Sequence, residues 1–240
     1  MFISQCAEAD IVTRTTLARH SLGERVLHVI NALAVAVLIT TGLALDDLLT
    51  ERLGMLLGGH LRVNAIHQWL GLAFVIAWVL LLLSGRISRL LRDVMYFRRD
   101  ELRRLLAFLC FYLRPSHHPV PFHDGRFDPA QRMIFIAIIA TTVLAGISGA
   151  YLYLMPPFGR VLLVYAIRIH IIAVWLLLAC LCIHIAAGIG LLRTHRGIAT
   201  AMFGNGRVTI TLARTLWPGW TRRQKGGNSD ISVNQRRTKP

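Results

Sequence analysis

Apolar residues along this chain gather into four long blocks, Val26–Leu45, Val63–Leu83, Met133–Leu154 and about Val161–Leu192, separated by polar, Arg-bearing connections. A bilayer core of about 30 Å needs about 20 apolar residues at about 1.5 Å of rise each, so every block predicts a membrane-spanning helix. The fourth is longer than needed and is expected to tilt or to run beyond the lipid. The first is too long for the core of a cleavable signal and should stay in place. A fifth apolar stretch, Leu102–Leu113, is too short to span and carries Arg103 and Arg104. It reads as a helix lying on the membrane surface. The expected fold is all-α: an integral membrane four-helix bundle over residues 1–220, then a basic, disordered tail over 221–240.

Composition agrees. The chain is 55% hydrophobic and only 16% charged, against about 25% charged in soluble domains. A net charge of +15 raises the question of nucleic acid, but the arginines flank apolar blocks, which is the mark of membrane topology. The first 25 residues, the connection 86–132 and the segment after Leu192 hold 23 of the 27 basic residues, and the short connections 46–62 and 155–160 hold three. Positive segments stay inside, so both termini and the long connection are expected in the cytoplasm. Membrane lipid is the expected surround and nucleic acid is not an expected partner.

Ten histidines are present and four of them, His28, His67, His170 and His184, fall inside apolar blocks. An unpaired polar group in hydrocarbon costs roughly 2–7 kcal/mol, so each requires a reason. His170 and His184 are 14 residues apart, about 21 Å of rise and roughly 40° short of four turns, which puts them on one helix face at opposite membrane depths. The topology sets His28 level with His184 on the inner side and His67 level with His170 on the outer side. Facing imidazoles suit the two axial positions of a haem iron. No C-x-x-C-H occurs among the four cysteines, so such haems are of b type. Cys180 and Cys182 read as packing residues. Zinc is the rival use of paired histidines, but it takes four ligands in a closed site. Haem propionates need cations: Arg25 and Arg193 stand near the inner pair, Arg62 and Arg168 near the outer. Each is equally well placed as a snorkelling interfacial arginine.

The stretches Gly23-Glu24-Arg25-Val26-Leu27-His28, Thr41-Gly42-Leu43, Ile66-His67, Gln131-Arg132-Met133, Ile169-His170, Ile183-His184 and Pro218-Gly219-Trp220 resemble the cytochrome b (gamma) subunit of respiratory formate dehydrogenase. The likeness covers about residues 19–220, and dihaem subunits of thiosulfate reductases and nickel–iron hydrogenases share its logic. It implies two haem b groups in a bacterial inner membrane and a subunit that is not itself the catalytic one. It also implies an iron–sulfur subunit outside, a molybdenum or tungsten catalytic subunit, and menaquinone or ubiquinone reduced near the cytoplasmic face. The family's quinone site uses the loop entering the third span, here Asp128, Ala130 and Gln131. Asp128 stands where the family usually has Asn and Ala130 where it has Gly. Independently of any quinone, Asp128 before Pro129 reads as an N-cap, with Gln131 completing a capping box.

Two other readings compete. One is a standalone dihaem cytochrome b moving electrons between quinol and an external acceptor. The other is a haem-free transporter or structural anchor using histidines for protons or metal. His117, His118 and His123 near Asp124 read as solvated residues of a Pro-rich connection rather than a metal cluster, and His195 as a candidate proton relay.

Overall fold

A computed structural model describes residues 15–45, 54–97, 99–154 and 160–224. Cys6 and most of the basic tail, from residue 225, lie outside the described residues. In chain order the elements are strand β1 (Thr16–Ala18), helices α1 (Leu22–Leu45), α2 (His60–Leu83), α3 (Ser88–Val94), α4 (Glu101–Leu113), α5 (Pro129–Leu154) and α6 (Arg160–Gly188), a 3-10 turn (Arg193–His195), helix α7 (Ala199–Phe203), strand β2 (Arg207–Thr209) and helix α8 (Ile210–Leu216).

Helices α1, α2, α5 and α6 are the four expected spans. Their 24, 24, 26 and 29 residues reach beyond the roughly 30 Å of hydrocarbon at about 1.5 Å per residue. Mean hydropathy lies between 2.1 and 2.5 while no more than 11% of any span's most apolar window is buried within the protein. Such outward apolar surface would cost heavily in water, and only lipid leaves it without penalty.

Local chemistry starts and stops these helices a turn away from where hydropathy alone places the edges. Ser21 Oγ accepts from Glu24 N at 3.2 Å and Ser21 N donates to Glu24 Oε2 at 2.8 Å. This reciprocal capping box starts α1 at Leu22, before the apolar run begins. Helix α5 opens on Asp128, whose Oδ1 accepts from Ala130 N at 2.8 Å and Gln131 N at 2.9 Å. The fourth span ends at Gly188 rather than Leu192. Gly190 takes a φ of +79°, Leu191 N reaches back to Ala186 O and Gly190 N to Ala187 O, the bond pair of a Schellman stop, which favours glycine at its left-handed position.

The chain forms two compact units. The first holds Val26–Arg92 and Phe135–Cys182, the greater part of the spans. Within it Gly71 faces Leu38 and Gly146 faces Val75, small residues admitting side chains of neighbouring spans. Trp78 Nε1 donates to Asn31 Oδ1 at 2.9 Å while Asn31 Nδ2 donates to Leu27 O at 2.7 Å, so this intramembrane amide is satisfied.

The second unit holds residues up to Arg25, Asp93–Ile134 and those from Ile183 onward. Here β1 and β2 pair antiparallel, Leu17 opposite Val208, a small ladder that an all-α reading did not anticipate. Ala201, Val208, Ala213, Leu216, Trp217 and Trp220 form its core. Arg19 is buried among aromatic rings, its guanidinium 3.7 Å from the Trp217 ring centre, 4.7 Å from Trp220 and 5.4 Å from Phe127. Helix α4 buries Phe108 and Phe111 while Leu102, Leu106, Leu109 and Leu113 stay exposed. Residues 221–224, the start of the expected tail, are helical, and Thr221 is buried.

Candidate functional site

Within the first unit, His67 of α2 and His170 of α6 face one another. Their ring centroids are 6.2 Å apart and their planes stand at 86°. A metal–imidazole bond of about 2.0 Å, with the nitrogen about 1.1 Å from its ring centre, puts two centroids about 6.2 Å apart when one metal lies midway. That is the separation His67 and His170 would need to hold one metal ion between them.

Each ring is seated in the same way on the preceding span. His67 Nδ1 lies 2.9 Å from Thr41 Oγ1, and that hydroxyl already donates to Val37 O at 2.7 Å, so it accepts the imidazole N–H. His170 Nδ1 lies 3.0 Å from Ala145 O and 3.1 Å from Ser148 Oγ. A carbonyl only accepts, so Nδ1 carries the proton there too. With both protons on Nδ1, each Nε2 keeps a free lone pair for a metal, the outer-shell arrangement usual for ligating histidines. A glycine follows each hydroxyl residue. A Cβ on Gly42 would stand 3.2 Å from His67 Cε1, and one on Gly149 would stand 3.1 Å from His170 Cε1. Thr41-Gly42 and Ser148-Gly149 are thus paired seats, a hydroxyl to set the tautomer and a missing side chain to admit the ring. The residues present fit a b-type haem. Among the described residues no group of three or more His, Cys, Asp or Glu is placed to hold a metal ion, which leaves zinc short of its four ligands.

Residues 19–205 match the family model described as prokaryotic cytochrome b561. The chain belongs to that family. It is a membrane electron-transfer cytochrome, with haem b as the implied cofactor and a bacterial membrane as its location. Compared with curated proteins, it finds no match.

His28 of α1 and His184 of α6 are each half-buried on their helices, and they belong to different compact units of the cytochrome. The four candidate propionate arginines have dissimilar settings. Arg25 Nε donates to Met202 O at 3.1 Å and its Nη2 bonds Gly204 O, so its guanidinium closes the turn before β2. Arg62 is exposed and folds along Gly58, where a Cβ would come within 3.0 Å of Arg62 Cδ. Arg168 is exposed on α6. Arg193 is exposed and lines a cleft with Tyr112 and Arg114.

At the capping turn, Asp128 is fully buried. Besides the two backbone donors, its Oδ2 accepts from Tyr112 Oη at 2.7 Å. Burial raises the carboxyl's pKa, opposed by the N–H of Gln131, the Tyr112 hydroxyl and nearby His123. The Gln131 side chain departs from the expected capping box: its Oε1 accepts from Trp217 Nε1 at 3.0 Å. Ala130 is half-buried beside it. His123 is not solvated as expected but buried, with Nε2 2.8 Å from Leu216 O and its ring against Phe108. His195 is buried with its ring 4.8 Å from that of Tyr112, and burial lowers its pKa to about 4.

Thr41 stands in the sequence only as part of the Thr41-Gly42-Leu43 resemblance, with no role attached, and neither Ser148 nor Tyr112 is marked by a motif. The detectable signal for Thr41 and Ser148 is a hydroxyl residue followed by glycine inside an apolar run, once in each helix preceding His67 or His170.

Proposed function

We propose that this cytochrome is the dihaem anchor subunit of a respiratory oxidoreductase of the formate dehydrogenase kind, linking an iron–sulfur partner outside to quinone at the Arg-rich, cytoplasmic side. The His67–His170 pair carries the reading: two imidazoles of matched tautomer, at the separation of a shared iron, inside apolar helices. In it His67 and His170 hold the outer haem b, and His28 and His184 the inner one. Each iron, when bound, supplies a one-electron couple. Thr41, Ser148 and the Ala145 carbonyl hold the outer imidazoles in the ligating tautomer, while Gly42 and Gly149 leave the rings their room. With two histidines holding each haem, the haems would carry electrons only, and in this reading oxidation of formate belongs to a molybdenum or tungsten partner subunit. The turn Asp128–Gln131 walls the quinone site, and Asp128, bonded to Tyr112, offers a carboxyl able to exchange a proton.

The second compact unit favours an anchor. Its Arg19 aromatic box and its Trp217 and Trp220 core are built outside the spans, where a bare membrane cytochrome needs no such structure. The second reading is a standalone dihaem cytochrome b exchanging electrons with quinol, and the family match, described as prokaryotic cytochrome b561, supports it as well as the first.

Purification from membranes in mild detergent tests both. Two haems per chain with a co-eluting iron–sulfur protein is the result expected. Two haems without that partner selects the standalone reading. One haem, or colourless protein from haem-replete cells, removes both.

A further inference from the structure

A cleft of about 530 Å³ opens in the second unit, lined by Tyr112, Leu113, Arg114, His117, Leu191 and Arg193 among others. None of its lining residues is acidic. Arg114 directly follows α4 and Arg193 opens the 3-10 turn beyond the end of α6, so two cations from distant parts of the chain line one cleft. Leu113 and Leu191 beside them are 77% and 71% exposed. Leu113 also ends a stripe on α4, Leu102, Leu106, Leu109 and Leu113, every member exposed. That spacing of four, three and four residues is one helix face, opposite the face that buries Phe108 and Phe111. An outer apolar stripe leading into a cationic cleft is the chemistry of a headgroup boundary, with hydrocarbon on one side and phosphate on the other.

We infer that this cleft binds the phosphodiester of an anionic phospholipid, with Arg114 and Arg193 on the phosphate and acyl chain along Leu113 and Leu191. Free phosphate satisfies the cations but leaves both leucines in water, and a zwitterionic lipid brings its own cation against two others. Only an anionic lipid meets both halves of the site. The inference shares Arg193 with the haem reading, where it is a candidate propionate contact, while Leu113, Arg114 and Leu191 have no part in that reading, so lipid retention and haem absorbance are read separately.

Native mass spectrometry of the intact chain in mixed micelles of phosphatidylglycerol and phosphatidylcholine tests it. Phosphatidylglycerol should be retained selectively, and excess inorganic phosphate should not displace it. Arg114→Ala and Arg193→Ala should each lower retention about five-fold, while Arg114→Lys should keep most of it. Arg103→Glu, an exposed charge elsewhere on α4, should change little and serves as the control for net charge. Equal loss in Arg103→Glu would reduce the effect to diffuse charge and overturn the site. So would displacement by phosphate, or Arg193→Ala that loses haem absorbance while keeping lipid.

Discussion

The imidazole of His67 stands edge-on to that of His170, 86° between planes and 6.2 Å between centroids, with both Nδ1 atoms turned back onto the spans behind them. The two Nε2 lone pairs are therefore the only ring nitrogens left to bind, which makes this pair the most direct place to test the cytochrome.

His67→Ala and His170→Ala should each remove the same haem and leave the other, halving the b-type absorbance per chain. A pyridine haemochrome assay reads this directly. His28→Ala and His184→Ala should behave alike in turn, and a loss pattern that pairs His28 with His67 would refute the assignment of partners.

The glycine seats make a sharper claim. Gly149→Val places a side chain where a Cβ alone would come within 3.1 Å of His170 Cε1. The ring must move, and the outer haem should be lost or sharply depleted while the protein still inserts. Gly23→Val, where a Cβ meets nothing within 4 Å, should keep full haem content.

Thr41→Val keeps the shape of the seat and deletes the acceptor of the His67 N–H. Loss of an outer-shell partner weakens metal binding by about 10–100-fold. Haem-transfer kinetics to apomyoglobin should show faster loss from the outer site, accompanied by a shift of its midpoint potential in a redox titration.

Asp128→Ala removes an N-cap, a loss of about 0.5–2 kcal/mol, and strands the Tyr112 hydroxyl. Asp128→Asn keeps the cap and should melt close to the parent in a thermal scan. If Asp128 also exchanges protons, the Asn variant should lose quinone reductase activity at unchanged stability, which a structural cap alone does not explain.

Acid should weaken the second unit through His195. Burial holds its folded pKa at about 4, below the ordinary 6.5 of a histidine, so the folded state refuses a proton that the unfolded chain accepts. Stability is therefore intact above pH 6.5 and is lost as pH falls from 6.5 to about 4, by about 3 kcal/mol at most. Asp128 shifts the opposite way, its carboxyl protonating more readily in the fold, and does not share this loss. His195→Gln should flatten the slope of unfolding midpoint against pH across that window.

Much of this was legible in the residues. Four apolar runs of 20 or more residues have one stable solution in lipid, because an α-helix satisfies every backbone group within its own segment. Asp128 before Pro129 marked where α5 begins. Tertiary packing decided the rest. The orientation of the His67 and His170 rings depends on hydroxyls 26 and 22 residues away in sequence, and the Arg25 guanidinium bonds the carbonyls of Met202 and Gly204, 177 and 179 residues on. His123 and Trp217 became core residues because chain segments almost a hundred residues apart close over them. Burial and hydrogen-bond partners of that kind are properties of the assembled surfaces, and no local pattern encodes them.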